Sequence, residues 1–273
     1  MESNVAYALG LTLFAGLATG IGSAIALFAR RTDRKFLSFS LGFSAGVMIY
    51  ISLVELFQQA RADIGLLHGA KMGDTIAALC LFGGILFAAA IDKLVPSGEN
   101  PHEIKSIEDM GQRPEGVPKR DSMSRLRRAG IVTALAVGLH NFPEGVATFM
   151  SALESPSLGL AIAVAIAIHN IPEGIAVSVP VFYATGSRRK AFWYSFLSGL
   201  SEPAGALLAW LLLMPFMSAM LMSGIFAAVA GIMIYISFDE LLPAAHEYGE
   251  HHTAIYGLIS GMAVMAASLI LLL

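Results

Sequence analysis

Charge in this chain is confined to the joints between long apolar runs, and that confinement decides what it can fold into. Eight such runs cover residues 5–29, 36–60, 73–95, 128–152, 157–183, 190–213, 218–243 and 253–273. At a helical rise of 1.5 Å per residue, about 20 residues cross the ~30 Å hydrocarbon layer. Each run is long enough. The chain is 56% apolar and 14% charged, against about 45–50% and about 25% in soluble domains. So few charges cannot cover a water-exposed surface, so most of the surface faces lipid. The predicted fold class is an all-α membrane protein with eight transmembrane helices, forming a single transmembrane domain over 1–273.

Cationic residues fix the orientation. Of the 17 Lys and Arg, four lie in 30–35, eight in 93–128 and three in 188–190, with Arg61 and Lys71 elsewhere. The first, third and fifth connections therefore carry nearly all the positive charge, as expected when those loops are cytoplasmic. An even number of spans then leaves the N- and C-termini external. The first run is longer than a signal-peptide core and is followed, not preceded, by its positive charges, so it reads as a membrane helix. The polar 96–127 segment reads as a flexible cytoplasmic loop. Cys80 is the only cysteine, which excludes an internal disulfide and any multi-cysteine metal site. Its apolar surroundings predict simple packing.

Two repeats are written into the runs. Ala45 to Leu56 (AGVMIYISLVEL) matches Ala230 to Leu241 (AGIMIYISFDEL) at nine of twelve positions. The first copy lies in the second span, running outward, and the other in the seventh, running inward. Similar segments crossing in opposite senses predict an inverted-topology repeat, 3+2+3, an arrangement typical of secondary transporters. The second repeat is His140-Asn141-Phe142-Pro143-Glu144-Gly145-Val146-Ala147, recurring as His169-Asn170-Ile171-Pro172-Glu173-Gly174-Ile175-Ala176. These copies sit near the centres of the antiparallel fourth and fifth spans and can meet near the bilayer midplane.

Residues i and i+4 share a helix face, so His140 stacks with Glu144 and His169 with Glu173. Asn141 and Asn170 lie 100° round, three residues before the same glutamates. Each helix offers an imidazole nitrogen, an amide oxygen and a carboxylate along one edge. Pro143 and Pro172 cannot donate to the carbonyls of Leu139 and Ile168, and in lipid a freed carbonyl must find a partner or line a cavity. The glycine after each glutamate lets another backbone approach. Glu202, within Ser201-Glu202-Pro203 of the sixth span, is a third mid-membrane acid. Three carboxylates at that depth cost ~8–10 kcal/mol on the insertion scale, and no Lys or Arg lies at that depth in those spans. Protonation or a bound cation must offset the charge. Nitrogen and oxygen donors without thiolate suit Zn, Fe(II), Mn, Co or Ni, and the set is large enough for two ions bridged by carboxylates.

At these residues the chain resembles the ZIP family of metal transporters, most closely its bacterial ZupT-type branch, over essentially its full length. The resemblance implies uptake of Zn2+, together with Fe2+, Mn2+, Co2+ and Cd2+, into the cytoplasm across a bacterial inner membrane. It implies that His140, Asn141, Glu144, His169, Asn170, Glu173 and Glu202 form a two-metal transport site, with helices one to three and six to eight as inverted halves. It further implies an elevator-like motion of one helix bundle against another, often in a homodimer. The partners expected are the lipid bilayer and divalent metal ions, with no nucleic acid. The metals are cargo, and no cofactor or enzymatic activity is expected. Many family members carry an additional histidine in the fifth span near the position of Glu173. Glutamate in both motifs predicts loose selectivity.

Other features are weaker. Glu55 falls near the external end of the second span, and Asp239 with Glu240 near the cytoplasmic end of the seventh, which suggests an acidic mouth on each side. His246-Glu247-Tyr248-Gly249-Glu250-His251-His252 reads equally well as an ion-catching or a plain polar connection. His68 and His102 read as solvated loop residues. Gly16-x-x-x-Gly20 and Gly42-x-x-x-Gly46 predict close helix packing. A membrane metallohydrolase is the rival reading, but no His-Glu-x-x-His pair is present. A haem carrier using His140 and His169 would not need the adjacent Asn and Glu.

Overall fold

Apolar runs of this length have one economical solution in lipid, which is to satisfy every backbone polar group within helices. The computed structural model describes residues 2–28, 34–94, 138, 141–248 and 251–272, and among them there is no strand. Helix α1 is Glu2–Phe28. Helix α2 (Arg34–Tyr50) continues through a π-helical turn, Ile51–Leu56, into α3 (Phe57–His68). Gly69, at φ 90°, turns the chain into α4 (Ala70–Leu94). Helix α5 covers 141–154 and α6 is Pro156–Thr185. Helices α7 (Arg188–Gly199) and α8 (Ser201–Leu208) follow, then a π-helical turn at Ala209–Leu213. Helix α9 (Ala219–Ile236) passes through the π-helical turn Ser237–Leu241 into α10 (Leu242–Tyr248), and α11 is His251–Leu272.

Seven helical stretches among the described residues are long and apolar enough to cross a membrane: α1, α2–α3, α4, α6, α7–α8, α9–α10 and α11. Helix α5 is the described part of the predicted fourth span. The predicted 96–127 loop, with His102, and His140 lie outside the described residues. The chain is thus an all-α, multi-pass membrane protein.

Local chemistry sets the joints. Ser155 caps α6, accepting from the Leu158 amide at 3.4 Å, with Pro156 in the first turn where its missing N–H is not needed. Ser187 and Ser218 cap α7 and α9 in the same way. The second span was predicted to end at 60, yet the helix runs to His68. This extension carries Arg61 and Asp63, and α3 packs on α4 as a hairpin. Arg61, one of the two outlying cations, pairs with Asp74 across that hairpin at 2.7 Å.

The helices sort into two groups. Helix α1 packs along α6, α7 and α8, and α7 along α6. Helix α5 joins them, with Phe142 meeting Gly205 of α8 and Ala152 meeting Gly159 of α6. In the other group, α2 packs on α11 and α10, while α9 packs on α4 and α3. Across the divide, α6 touches α2 and α11, where Ser268 donates to the Ala161 carbonyl at 3.1 Å.

The two copies of the twelve-residue repeat behave alike. Each converts to a π-helical turn at its Ser-x-x-Glu-Leu end, at Ile51–Leu56 and Ser237–Leu241. Each glycine at the second position presses on a neighbouring backbone. A Cβ on Gly46 would overlap the Leu258 carbonyl of α11, and one on Gly231 the Leu81 carbonyl of α4. Gly16 and Gly42 of the predicted packing motifs likewise meet the backbones of Gly199 and Ala254. Outward faces are apolar, as Leu79, Phe82, Leu86 and Phe87 on α4 illustrate.

These contacts predict a contrast in detergent melting curves. Gly46→Ala should cost ~1–3 kcal/mol through overpacking against backbone. Gly83→Ala, where an added Cβ meets nothing within 4 Å, should hold or raise the midpoint, because alanine is the better helix former by up to ~1 kcal/mol.

Candidate metal site

Residues Asn141 to Ala147 of the first motif lie in α5, and the whole of the second lies inside α6, which stays helical through Pro172. Both motif glycines explain how the supporting helices come so close. A Cβ on Gly145 would overlap the Glu202 carbonyl of α8, and one on Gly174 the Thr19 carbonyl of α1. Side-chain-free contact draws α5 and α6 into the bundle and points their polar edges at one another.

Glu144, His169 and Glu173 converge. Each offers a ligand atom, and these atoms all lie within 4.8 Å of one another. His169 Nε2 is 3.4 Å from Glu144 Oε1. Ligand atoms on a tetrahedral zinc with bonds of about 2.0–2.1 Å stand roughly 3.3 Å apart, so this pair already spans one edge of such a polyhedron. His169 Nδ1 faces the Ala165 carbonyl at 3.3 Å. A carbonyl only accepts, so Nδ1 carries the hydrogen and Nε2 of the neutral ring presents its lone pair to the pocket.

Asn170 faces elsewhere, as its 100° offset requires. Its Nδ2 donates to Glu202 Oε1 at 2.5 Å and to the Ala15 carbonyl at 2.9 Å. Glu202 sits in the first turn of α8, just past the interruption at Leu200. Pro203 has no amide for the Gly199 carbonyl, which accounts for the interruption. The Glu202 carboxylate also lies in the field of Glu144 and Glu173. Asn141 is wholly buried, and no one of Asn141, Glu144, His169, Asn170, Glu173 and Glu202 exceeds 7% exposure.

Four atoms of this set are buried without a hydrogen-bond partner: Glu144 Oε2, His169 Nε2, Asn170 Oδ1 and Glu202 Oε2. Leaving such atoms unpaired costs about 1–3 kcal/mol each, more when charged. All four are lone-pair donors, the kind of atom that a bound cation satisfies. Of the seven residues expected, the structure thus brings together Glu144, His169 and Glu173, sets Asn170 and Glu202 beside them, and buries Asn141. His140 lies outside the described residues.

Sequence reasoning missed two supports. Ser44 of α2 donates to the His169 carbonyl at 3.0 Å, and its signal was only a serine beside the repeat. The Ala15 carbonyl of α1, which holds Asn170, left no signal, since any residue has one. Of the minor histidines, His68 ends α3 rather than lying in a loop, and His252 stacks on Tyr256 at 6.3 Å.

A family model described as ZIP Zinc transporter matches residues 97–269. The chain is 60% identical over 272 residues to a zinc transporter ZupT of Lysinibacillus sphaericus, covering 100% of both. It is 58% identical to the zinc transporter ZupT of Nitratidesulfovibrio vulgaris over 274 residues, 100% of this chain and 99% of that one. The Streptococcus mutans zinc transporter ZupT is 56% identical over 271 residues, 99% of each.

The converging side chains and the peripheral Ser44 should differ in equilibrium binding of Zn2+ to the detergent-solubilised protein. His169→Ala and Glu173→Ala should each weaken affinity by roughly tenfold or more, and Ser44→Ala by far less, since its hydroxyl holds a carbonyl and not the pocket.

Proposed function

Because the chain belongs to the ZIP family, we propose that it is a zinc transporter moving Zn2+ into the cytoplasm through a pocket of Asn141, Glu144, His169, Asn170, Glu173 and Glu202, with His140 completing the set. One observation carries this reading: the converging, cation-poor cluster of buried carboxylates and imidazole with orphaned lone pairs. Glu144, His169 and Glu173 hold one ion. Asn170 and Glu202, sharing Glu144 and Glu173 as bridges, hold a second. Nitrogen and oxygen donors of intermediate hardness discriminate weakly, so Fe2+, Mn2+, Co2+ and Cd2+ compete as cargo.

The two helix groups are the moving parts of an alternating-access cycle. The group of α1, α5, α6 and α7–α8 carries the pocket past the group of α2–α3, α4, α9–α10 and α11. The matching π-helical turns and glycine contacts of the twelve-residue copies support an inverted 3+2+3 repeat, with both termini external. The homodimer implied by family habit belongs to the same proposal.

Gln59, Asp63, Glu55 and Glu154 form the external mouth. Gln59 Nε2 donates to Glu154 Oε1 at 2.5 Å. Burial holds the Glu154 carboxyl above the ordinary glutamate range, Asp63 adds to the rise, Gln59 opposes it, and Glu55 adds again. A carboxyl raised in this way takes up its proton early as the medium is acidified. The mouth then loses negative charge and attracts cations less. Asp239 and Glu240 form the corresponding cytoplasmic mouth.

Zn2+ flux into proteoliposomes tests the pocket. Glu144→Ala and Glu173→Ala should each bring uptake to background, and retained flux in both variants would defeat the assignment. Initial rates across pH test the mouth. The apparent KM should rise as pH falls, and Glu154→Gln should flatten that dependence while raising KM at neutral pH.

A further inference from the structure

Buried hydroxyls in this protein generally satisfy themselves. Thr12, Ser23, Ser178, Ser223 and Ser237 each donate to the carbonyl four residues back, at 2.6–2.9 Å. Thr148 and Ser151 do not. Both are 0% exposed, and neither Thr148 Oγ1 nor Ser151 Oγ has a hydrogen-bond partner. They stand four and seven residues after Glu144 on α5, so all three lie on one helix face. The stripe climbs from the pocket in steps of roughly 6 and 4.5 Å at the helical rise. Glu154, three residues beyond Ser151, ends it in the acidic mouth with Gln59. The α2–α3 helix shows the same signature. Ser52 Oγ, in the π-helical turn, and Gln59 Oε1 are also buried without partners.

We propose that the hydroxyls of Thr148 and Ser151 form a relay of oxygen ligands that passes a partly dehydrated divalent cation between the Glu154 mouth and the Glu144–His169–Glu173 pocket. This rests on the transport reading above and extends it to the path. A hydroxyl oxygen replaces a hydration water without adding charge. It therefore lets the ion shed part of its shell and holds it too weakly to trap it, the balance that conduction requires. The orphaned state of both hydroxyls follows from that role: a hydroxyl bonded to its own helix would have its orientation fixed elsewhere.

The test is the pair Thr148→Val with Ser151→Ala, which removes both oxygens and nearly preserves shape, in proteoliposomes loaded with a fluorescent Zn2+ indicator. The maximal uptake rate should fall by roughly tenfold, the rate equivalent of one lost hydrogen-bond-sized interaction. Equilibrium Zn2+ affinity of the solubilised protein should stay within a factor of about two, because the pocket is untouched. The melting midpoint should hold or rise, since unpaired buried hydroxyls are removed, and Thr148→Ser in place of Thr148→Val should restore most of the rate. An unchanged uptake rate would overturn the relay, as would a matching loss of equilibrium affinity, a lowered midpoint or failure of the serine rescue. Glu144→Gln run in parallel separates the two ideas. If it abolishes flux while the hydroxyl variants transport normally, the relay fails and the pocket stands; if it transports normally, both fall.

Discussion

Three carboxylates enclosed by apolar helices and lipid are the condition on which the rest of this structure turns. Nothing in the sequence supplies Lys or Arg at their depth, and His169 is the only described imidazole among them. Such a cluster is stable only when its negative charge is matched, and a proton or a dication is the available match. The orphaned atoms on Glu144, His169, Asn170 and Glu202 express the same condition in hydrogen-bonding terms. A dication satisfies several of them at once, whereas a proton satisfies one.

Holding ligands from α5, α6 and α8 that closely requires helices to meet almost backbone to backbone. Gly145 and Gly174 do this at the pocket, and Gly46 and Gly231 do it in the supporting group. Membrane helices gain little from burying apolar surface against one another, because lipid is equally apolar. Close van der Waals contact through small residues carries much of the association instead. Stability and site geometry therefore draw on the same glycines. Between the two groups, Ser44 and Ser268 donate hydrogen bonds to carbonyls of α6.

The membrane-spanning runs, the paired motifs and the twelve-residue repeat were legible because each depends on periodicity or identity along the chain. The convergence of His169 with Glu144 followed from i, i+4 spacing and antiparallel placement. What remained hidden depends on neighbours far away in sequence. The turning of Asn170 toward Glu202 and Ala15 needed the position of α1 and α8. The π-helical turns at Ile51–Leu56 and Ser237–Leu241 insert a residue's worth of slack that no propensity scale records. The extension of α3 to His68 escaped a hydropathy reading because Gln58, Gln59, Arg61 and Asp63 look like the end of a span, yet α4 lies alongside and keeps them helical. Thr148 and Ser151 were overlooked because a small hydroxyl in a helix ordinarily bonds its own backbone.

The contact of Ser44 with the His169 carbonyl, and of Ser268 with that of Ala161, has a mechanical corollary. Carbonyls recur along α6 at an even spacing, and one full turn displaces them by 5.4 Å. A hydroxyl that releases its acceptor therefore meets an equivalent one after a fixed travel and finds poor partners in between. Eight residues separate the two acceptors, close to two turns, so both hydroxyls would lose and regain partners nearly in phase. Under the proposed relative motion of the two groups, any sliding of α6 past these hydroxyls would be stepped by one helical turn.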